Sequence, residues 1–283
     1  MKLGSVGILL RPSEGVDANL GRVNRAAELG LSVLGVWWMP DQRKPELLEP
    51  VAEAAAKHGI ELRTGSGGPF GAANPEERKA AVENAIAGLL EINKYTGIKF
   101  ASLANLPMSH NRWSPEPPMS ERIDIIAESL GKVADAVASA GIVLGLENHC
   151  DYRGYECAAM LEKANRPNLK AQLDTGNAFT VFEDPVDCAK ALAKWTVSVH
   201  LKDVKVTPLA PAPWRGTRAE TVPLGGGHVD NVTICKLLQE QAPDPKSIAL
   251  MVEPLALAPE DDPEEFLRVS LAWAREHLAP FLT

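Results

Sequence analysis

Short apolar runs alternate along the chain with longer stretches in which apolar residues return every three or four positions. The runs SVGILL, SVLGVWW, IELRT, IKFASLA, IVLGLEN, LKAQLD, TVSVHLKD and SIALMVE read as buried strands. The helical period predicts helices at about Asp17–Leu29, Pro45–Lys57, Pro75–Tyr95, Glu121–Ala140, Gly154–Ala164, Pro185–Ala193, Val232–Gln241 and Pro263–His277. Ser120 is the expected N-cap of the fourth helix, and Gly141 the residue just past its end. Strands that alternate with helices pack as parallel βαβ units. Eight such units in 283 residues predict a single-domain (β/α)8 TIM barrel over residues 1–283. An open doubly wound sheet would be expected to carry a glycine-rich dinucleotide turn after its first strand, and RPSEGVDAN stands there instead.

Composition narrows the function classes. The chain is 45% hydrophobic and 23% charged, as an ordinary globular enzyme is, with a formal net charge of -8. Nucleic-acid binding needs a basic footprint, and a polybasic membrane anchor needs the same, so neither partner is expected. The apolar run near the N-terminus is too short for a secretory signal, and none approaches the ~18 residues of a membrane span. Cys150, Cys157, Cys188 and Cys235 form no Cys-x-x-Cys pair, which suits reduced thiols and a cytoplasmic setting.

In a barrel, chemistry gathers at the C-terminal ends of the strands. The fifth to eighth strands end at Glu147, Asp174, His200 and Glu253. Successive side chains on a strand point to opposite faces. Glu147 therefore shares a face with His149, Asp174 with Gln172, His200 with Ser198 and Lys202, and Glu253 with Met251. If those faces turn inward, three carboxylates and one imidazole converge. Uncompensated, three buried carboxylates would cost several kcal/mol each. A divalent cation removes that cost, and an oxygen-rich set with one imidazole suits Mn²⁺ or Mg²⁺, with Co²⁺ or Zn²⁺ as alternatives.

The segments GLENH, QLDTGN, VHLKDV, VPLGGGHVD and MVEP, in this order, resemble the sugar phosphate isomerase/epimerase family of xylose isomerase-like TIM barrels. The resemblance implies a metal held by Glu147, Asp174, His200 and Glu253, the same four residues that the strand ends select. It also implies that Glu147 and Glu253 act as acid and base on opposite faces of a keto sugar. In several members a His three positions after the metal-binding Asp touches substrate. Asn177 stands there in this chain and can donate a hydrogen bond, but cannot shuttle a proton at neutral pH.

These readings predict a metal-dependent isomerase or epimerase acting on a keto sugar, or a sugar-derived keto acid, through an enediolate. Lys202 is a candidate catalytic cation, and Asp203, of opposite parity, a supporting residue. Candidate substrate contacts are His149, Asn177, Trp37, Arg11 and His228. Of Trp37 and Trp38, one must point inward and wall the pocket. Residues 204–229 form a Pro- and Gly-rich connection long enough to be a lid, bringing Trp214, Arg215 and Arg218 near the substrate. His58, His110 and His277 receive no role. The competing class is a metal-dependent lyase, either a decarboxylase of a 3-oxo sugar acid or a dehydratase. A nuclease of the abasic-site type is disfavoured by the acidic charge and the few histidines, and a non-catalytic binding module ranks last. The expected partner is a small-molecule carbohydrate, and barrels of this kind often form homo-oligomers.

Overall fold

Eight parallel strands close into a ring: β1 (Lys2–Val6), β2 (Val33–Gly35), β3 (Glu61–Gly68), β4 (Phe100–Asn105), β5 (Val143–Glu147), β6 (Leu169–Asp174), β7 (Thr196–Leu201) and β10 (Ala249–Val252). Each pairs with its sequence neighbour in the ring, and β10 closes it between β7 and β1. The computed structural model describes residues 1–11, 17–105, 112, 116–211 and 216–283. Around the ring lie eight α-helices among the described residues: α1 (Ala18–Glu28), α2 (Pro45–His58), α3 (Pro75–Thr96), α4 (Met119–Val137), α5 (Gly154–Ala164), α6 (Pro185–Leu192), α7 (Asn231–Gln241) and α8 (Pro263–His277). This is a (β/α)8 barrel. Among the described residues, no helix is long and apolar enough to cross a membrane.

Local chemistry explains the helix starts. Asp17, Asn74, Asp184, Asp230 and Asp262 each accept a first-turn backbone N–H and so satisfy donors that the helix itself leaves unpaired. At the far end of the α4 segment, Gly141 takes φ 70°, the left-handed conformation that closes a helix.

The core lies between strands and helices. Leu34, Leu103, Leu144, Leu173, Val199 and Leu250 are fully buried there, with Val23, Leu48, Ile126, Leu130, Leu192 and Leu271 from the helices. Several inward positions carry small or polar side chains, while Val33, Ala249 and Met251 form a separate apolar cluster. Gly65, Ser102 and Gly145 lie side by side in register, as do Gln172 and Ser198. That interior leaves room at the mouth.

Several elements differ from the expectation. The first strand stops at Val6, and Gly7–Leu9 form a 3-10 turn that buries Leu9 and Leu10 in the core. Arg11 therefore does not end a strand. Its guanidinium is exposed and pairs with Asp262 at 3.0 Å. Ser120 lies inside α4, whose N-cap is Pro118 with no side-chain cap. The connection after β7 is no plain loop. Asp203–Pro208 (β8) and Thr217–Val222 (β9) pair as an antiparallel hairpin. Arg218 lies on β9, exposed and paired with Glu220. His110, Trp214 and Arg215 lie outside the described residues.

Candidate metal centre at the barrel mouth

Glu147 ends β5, Asp174 ends β6, His200 is the last residue but one of β7, and Glu253 follows β10. One ligand atom from each lies within 4.8 Å of the other three. Ligands on opposite sides of an ion, each at roughly 2.0–2.6 Å, span about that distance. His200 Nδ1 is 2.9 Å from Glu253 Oε2, 3.3 Å from Glu147 Oε1 and 3.8 Å from Asp174 Oδ2. Asp174 Oδ2 is buried and faces the Lys202 ammonium at 2.8 Å. A hard, oxygen-rich set of three carboxylates and one imidazole, converging this closely, fits a divalent cation.

Backbone clamps hold these groups. Asn148 and Asp174 exchange two 2.8 Å bonds, the Asn148 amide pairing with the backbone N–H and C=O of Asp174. Asp174 Oδ1 accepts the N–H groups of Gly176 and Asn177, both at 2.9 Å, which leaves Oδ2 to face the cluster. The Thr175 hydroxyl pairs with both the N–H and the C=O of Lys202.

Lys202 is 5% exposed, and its ammonium sits among the acids, 2.8 Å from Asp174 Oδ2, 3.0 Å from Glu253 Oε2 and 3.1 Å from Asn177 Oδ1. These charges set the protonation states. Burial alone would lower His200, but Glu253 and Glu147 outweigh it and push it up to about 10. Burial favours neutral Glu253, yet His200 and Lys202 hold it well below the usual carboxylate range. Glu147 is likewise lowered: burial opposes ionisation, but the charge and hydrogen bond of His200 outweigh it. Asp174 moves the other way, to about 6, because burial exceeds the help from Lys202.

The remaining residues divide. Asn177 is buried beside Lys202, and His149 is half-buried with Nδ1 unpartnered. Trp37 lies over the mouth. A Cβ on Gly35 would meet its ring at 3.2 Å and one on Gly65 would meet its Nε1 at 2.8 Å, so those glycines form its seat. Trp38 turns into the core instead. His228 does not join the cluster. It is exposed, its N–H donates to Val204 O and its Nδ1 accepts from Val206 N, which staples the hairpin. Asp203 accepts four backbone N–H groups, from Val204, Gly225, Gly227 and Val229. A Cβ on Gly227 would fall 2.2 Å from Asp203 Oδ1, so only glycine allows that approach.

Sequence reasoning passed over three groups here. Asn148 could have been found through its place in GLENH, next to Glu147. Cys150 and Asp151 carry no such signal, because their surroundings come from other loops. Asp151 is 1% exposed, and its carboxyl is raised well above the usual range, by burial first and by the charge of Glu147 after it. A separate cavity of about 600 Å³ opens at the opposite end of the barrel, lined by Ile60, Leu62, Arg63, Phe100 and Val143. It faces strand starts, where barrels are built for stability rather than chemistry.

The fold is a (β/α)8 barrel whose strand ends bring together four side chains that could hold a divalent metal ion. Residues 23–277 match the model of the xylose isomerase-like TIM barrel family, and the chain belongs to that family. A search of curated protein sequences finds no significant match. Among solved structures, the chain resembles an L-ribulose 3-epimerase (TM-score 0.77, 16% identity, covering 99% of this chain and 95% of that one). It also resembles an IolI protein with a bound zinc atom (TM-score 0.75, 18% identity, 100% of both chains). A third is a xylose isomerase-like TIM barrel protein from Mycobacterium smegmatis in complex with magnesium (TM-score 0.72, 13% identity, 100% and 98%).

Proposed function

We propose that this protein is a divalent-metal-dependent epimerase or isomerase of a keto sugar. The observation that carries the reading is the convergence of Glu147, Asp174, His200 and Glu253 within 4.8 Å. A bound divalent ion would be held by these four and would supply Lewis-acid stabilisation of negative charge on the substrate oxygens. Mn²⁺ or Mg²⁺ suits the donor set best.

The chain's own residues supply the proton chemistry. Glu147 and Glu253 stand on β5 and the end of β10, with β6 and β7 between them in the ring, and flank His200 from two sides. One carboxylate takes the proton α to the carbonyl. The C–H electron pair becomes the enediolate double bond. In isomerisation the glutamate protonated by that step returns its proton to the adjacent carbon; in epimerisation the opposite face receives a proton through the other glutamate, which first takes one from water. Lys202 offers a fixed positive charge to the developing oxyanion. Trp37 presents an apolar wall to the C–H face of the sugar, and His149 a polar contact.

The test is incubation of Mn²⁺-loaded protein with L-ribulose, D-tagatose, D-allulose and D-fructose in D₂O, followed by NMR. The expected result is a new ketose or aldose with one deuterium at the reacting carbon, and loss of that exchange with a chelator. No exchange with any of Mn²⁺, Mg²⁺, Co²⁺ or Zn²⁺ would overturn the reading. The buried ammonium of Lys202 supports a second reading, a lyase that removes CO₂ from a 3-oxo sugar acid through the same enediolate. CO₂ release from such an acid, without ketose turnover, would favour it.

A further inference from the structure

Two donors converge on one atom of Asn177. Lys202 Nζ lies 3.1 Å from Asn177 Oδ1, and the Cys150 thiol donates to the same oxygen at 3.2 Å. An ammonium can only donate, so the atom facing it must be the amide oxygen. The amide cannot turn over without setting its NH₂ group against Lys202 and against the thiol. Its Nδ2 is thereby fixed on the other side. Asn177 is 1% exposed, and Nδ2 has no hydrogen-bond partner. A buried donor left unpaired is unfavourable, and a ligand oxygen that accepts from it removes that cost. Through Oδ1 the amide is anchored to the same ammonium that reaches Asp174 and Glu253.

Cys150 itself is held at φ 34°, in the left-handed region where a side chain is strained. A glycine would hold that backbone with less strain, but it would supply no donor. The Thr180 hydroxyl also neighbours the thiol and donates to Asn177 O at 2.7 Å, so the Cys150 side chain sits against the start of the 177–181 turn.

We propose that Cys150 is a positioning residue: its thiol, together with Lys202, saturates Asn177 Oδ1 and so fixes the Asn177 NH₂ group as the donor that receives a substrate oxygen beside the metal. This deepens the proposed function and rests on it for the identity of that oxygen, but the locked amide is a property of the protein alone.

The experiment compares wild type with Cys150→Ala, which loses the donor, and Cys150→Ser, which keeps one. The first readout needs no substrate. Full-length protein labelled with ¹⁵N-asparagine shows the Asn177 side-chain amide pair, assigned by its loss in Asn177→Asp. The expected result is a sharp, separated pair in wild type and Cys150→Ser, and a broadened or shifted pair in Cys150→Ala, with equal metal content and thermal midpoint. The second readout is kinetics on whichever ketose is turned over. KM should rise about fivefold in Cys150→Ala, the loss of one hydrogen bond, with kcat within about twofold and recovery in Cys150→Ser. An unchanged Asn177 amide pair in Cys150→Ala overturns the proposal, as does equal perturbation by Ala and Ser. If no ketose is turned over, the amide signals still decide for or against the lock.

Discussion

The Lys202 ammonium lies 2.8 Å from Asp174 Oδ2, joining the polar ends of two adjacent strands, β6 and β7. Both side chains are buried. Removing one partner of a buried ion pair leaves an uncompensated charge and costs about 3–5 kcal/mol. Lys202→Met should therefore destabilise the metal-free protein by about that amount in urea unfolding. With Mn²⁺ present the loss should be smaller, because the ion supplies the missing positive charge. A metal-free variant within 1 kcal/mol of wild type would show that the pair is not a structural necessity.

Metal binding should appear in thermal stability. An ion that binds only the folded state stabilises it by about 2.7 kcal/mol at a hundredfold excess over Kd. The midpoint should rise by several degrees with Mn²⁺ and fall back with chelator. Asp174→Asn should abolish the rise. An identical rise in that variant would place the ion elsewhere.

Glu147→Gln and Glu253→Gln should each reduce turnover by at least about a hundredfold, the scale of a lost acid or base. Metal content measured alongside separates the loss of a ligand from the loss of a proton carrier. A variant that keeps both its metal and its rate would remove that glutamate from the chemistry.

Asp151 predicts a pH dependence. Its folded-state pKa is raised, by burial first and by Glu147 after it. The folded protein therefore holds this proton more tightly than the unfolded chain does. The stability it contributes is complete below about pH 3.9, the unfolded value, and is lost as pH rises towards and through the folded value. Asp151→Asn has no such proton to lose. Between pH 5 and pH 8 its thermal midpoint should change less than that of wild type. Equal slopes would mean that the carboxyl is solvated or compensated.

Asp203 gathers four backbone N–H groups from β8 and the turn after β9. Asp203→Asn replaces one acceptor oxygen by a donor and sets it against those N–H groups. Amide exchange across 217–229 should quicken by at least tenfold, and exchange in β3 and β4 should not change. Exchange unaltered at the hairpin would assign its stability to packing instead.

The barrel was legible because its periodicities are local. Apolar runs and a period of three to four residues need no knowledge of the partner strand. Asx residues before α1, α3, α6, α7 and α8 mark their own helix starts. Glu147, Asp174, His200 and Glu253 could be picked out because each ends a strand, and a barrel brings strand ends to one face. The first strand was placed too late because GILL is apolar whether it is strand or turn. Only the ladder with β2 and β10 decides that it leaves the sheet at Val6.

Side-chain roles on the loops followed a different logic. Arg11 and His228 look like ligand-facing residues in the sequence, yet the fold gives them to Asp262 and to the hairpin backbone. Cys150, Asn177 and Lys202 are separated by 27 and 25 positions in the chain and meet in one hydrogen-bonded group. Sequence alone determined the number and order of the strand–helix units and the place of Glu147, Asp174, His200 and Glu253 at or beside strand ends, because those depend on contacts between near neighbours. Tertiary structure decided which charges face one another, which amide is locked and which donor stays unpaired. Those depend on distances between residues far apart in the chain, and only closure of the ring sets them.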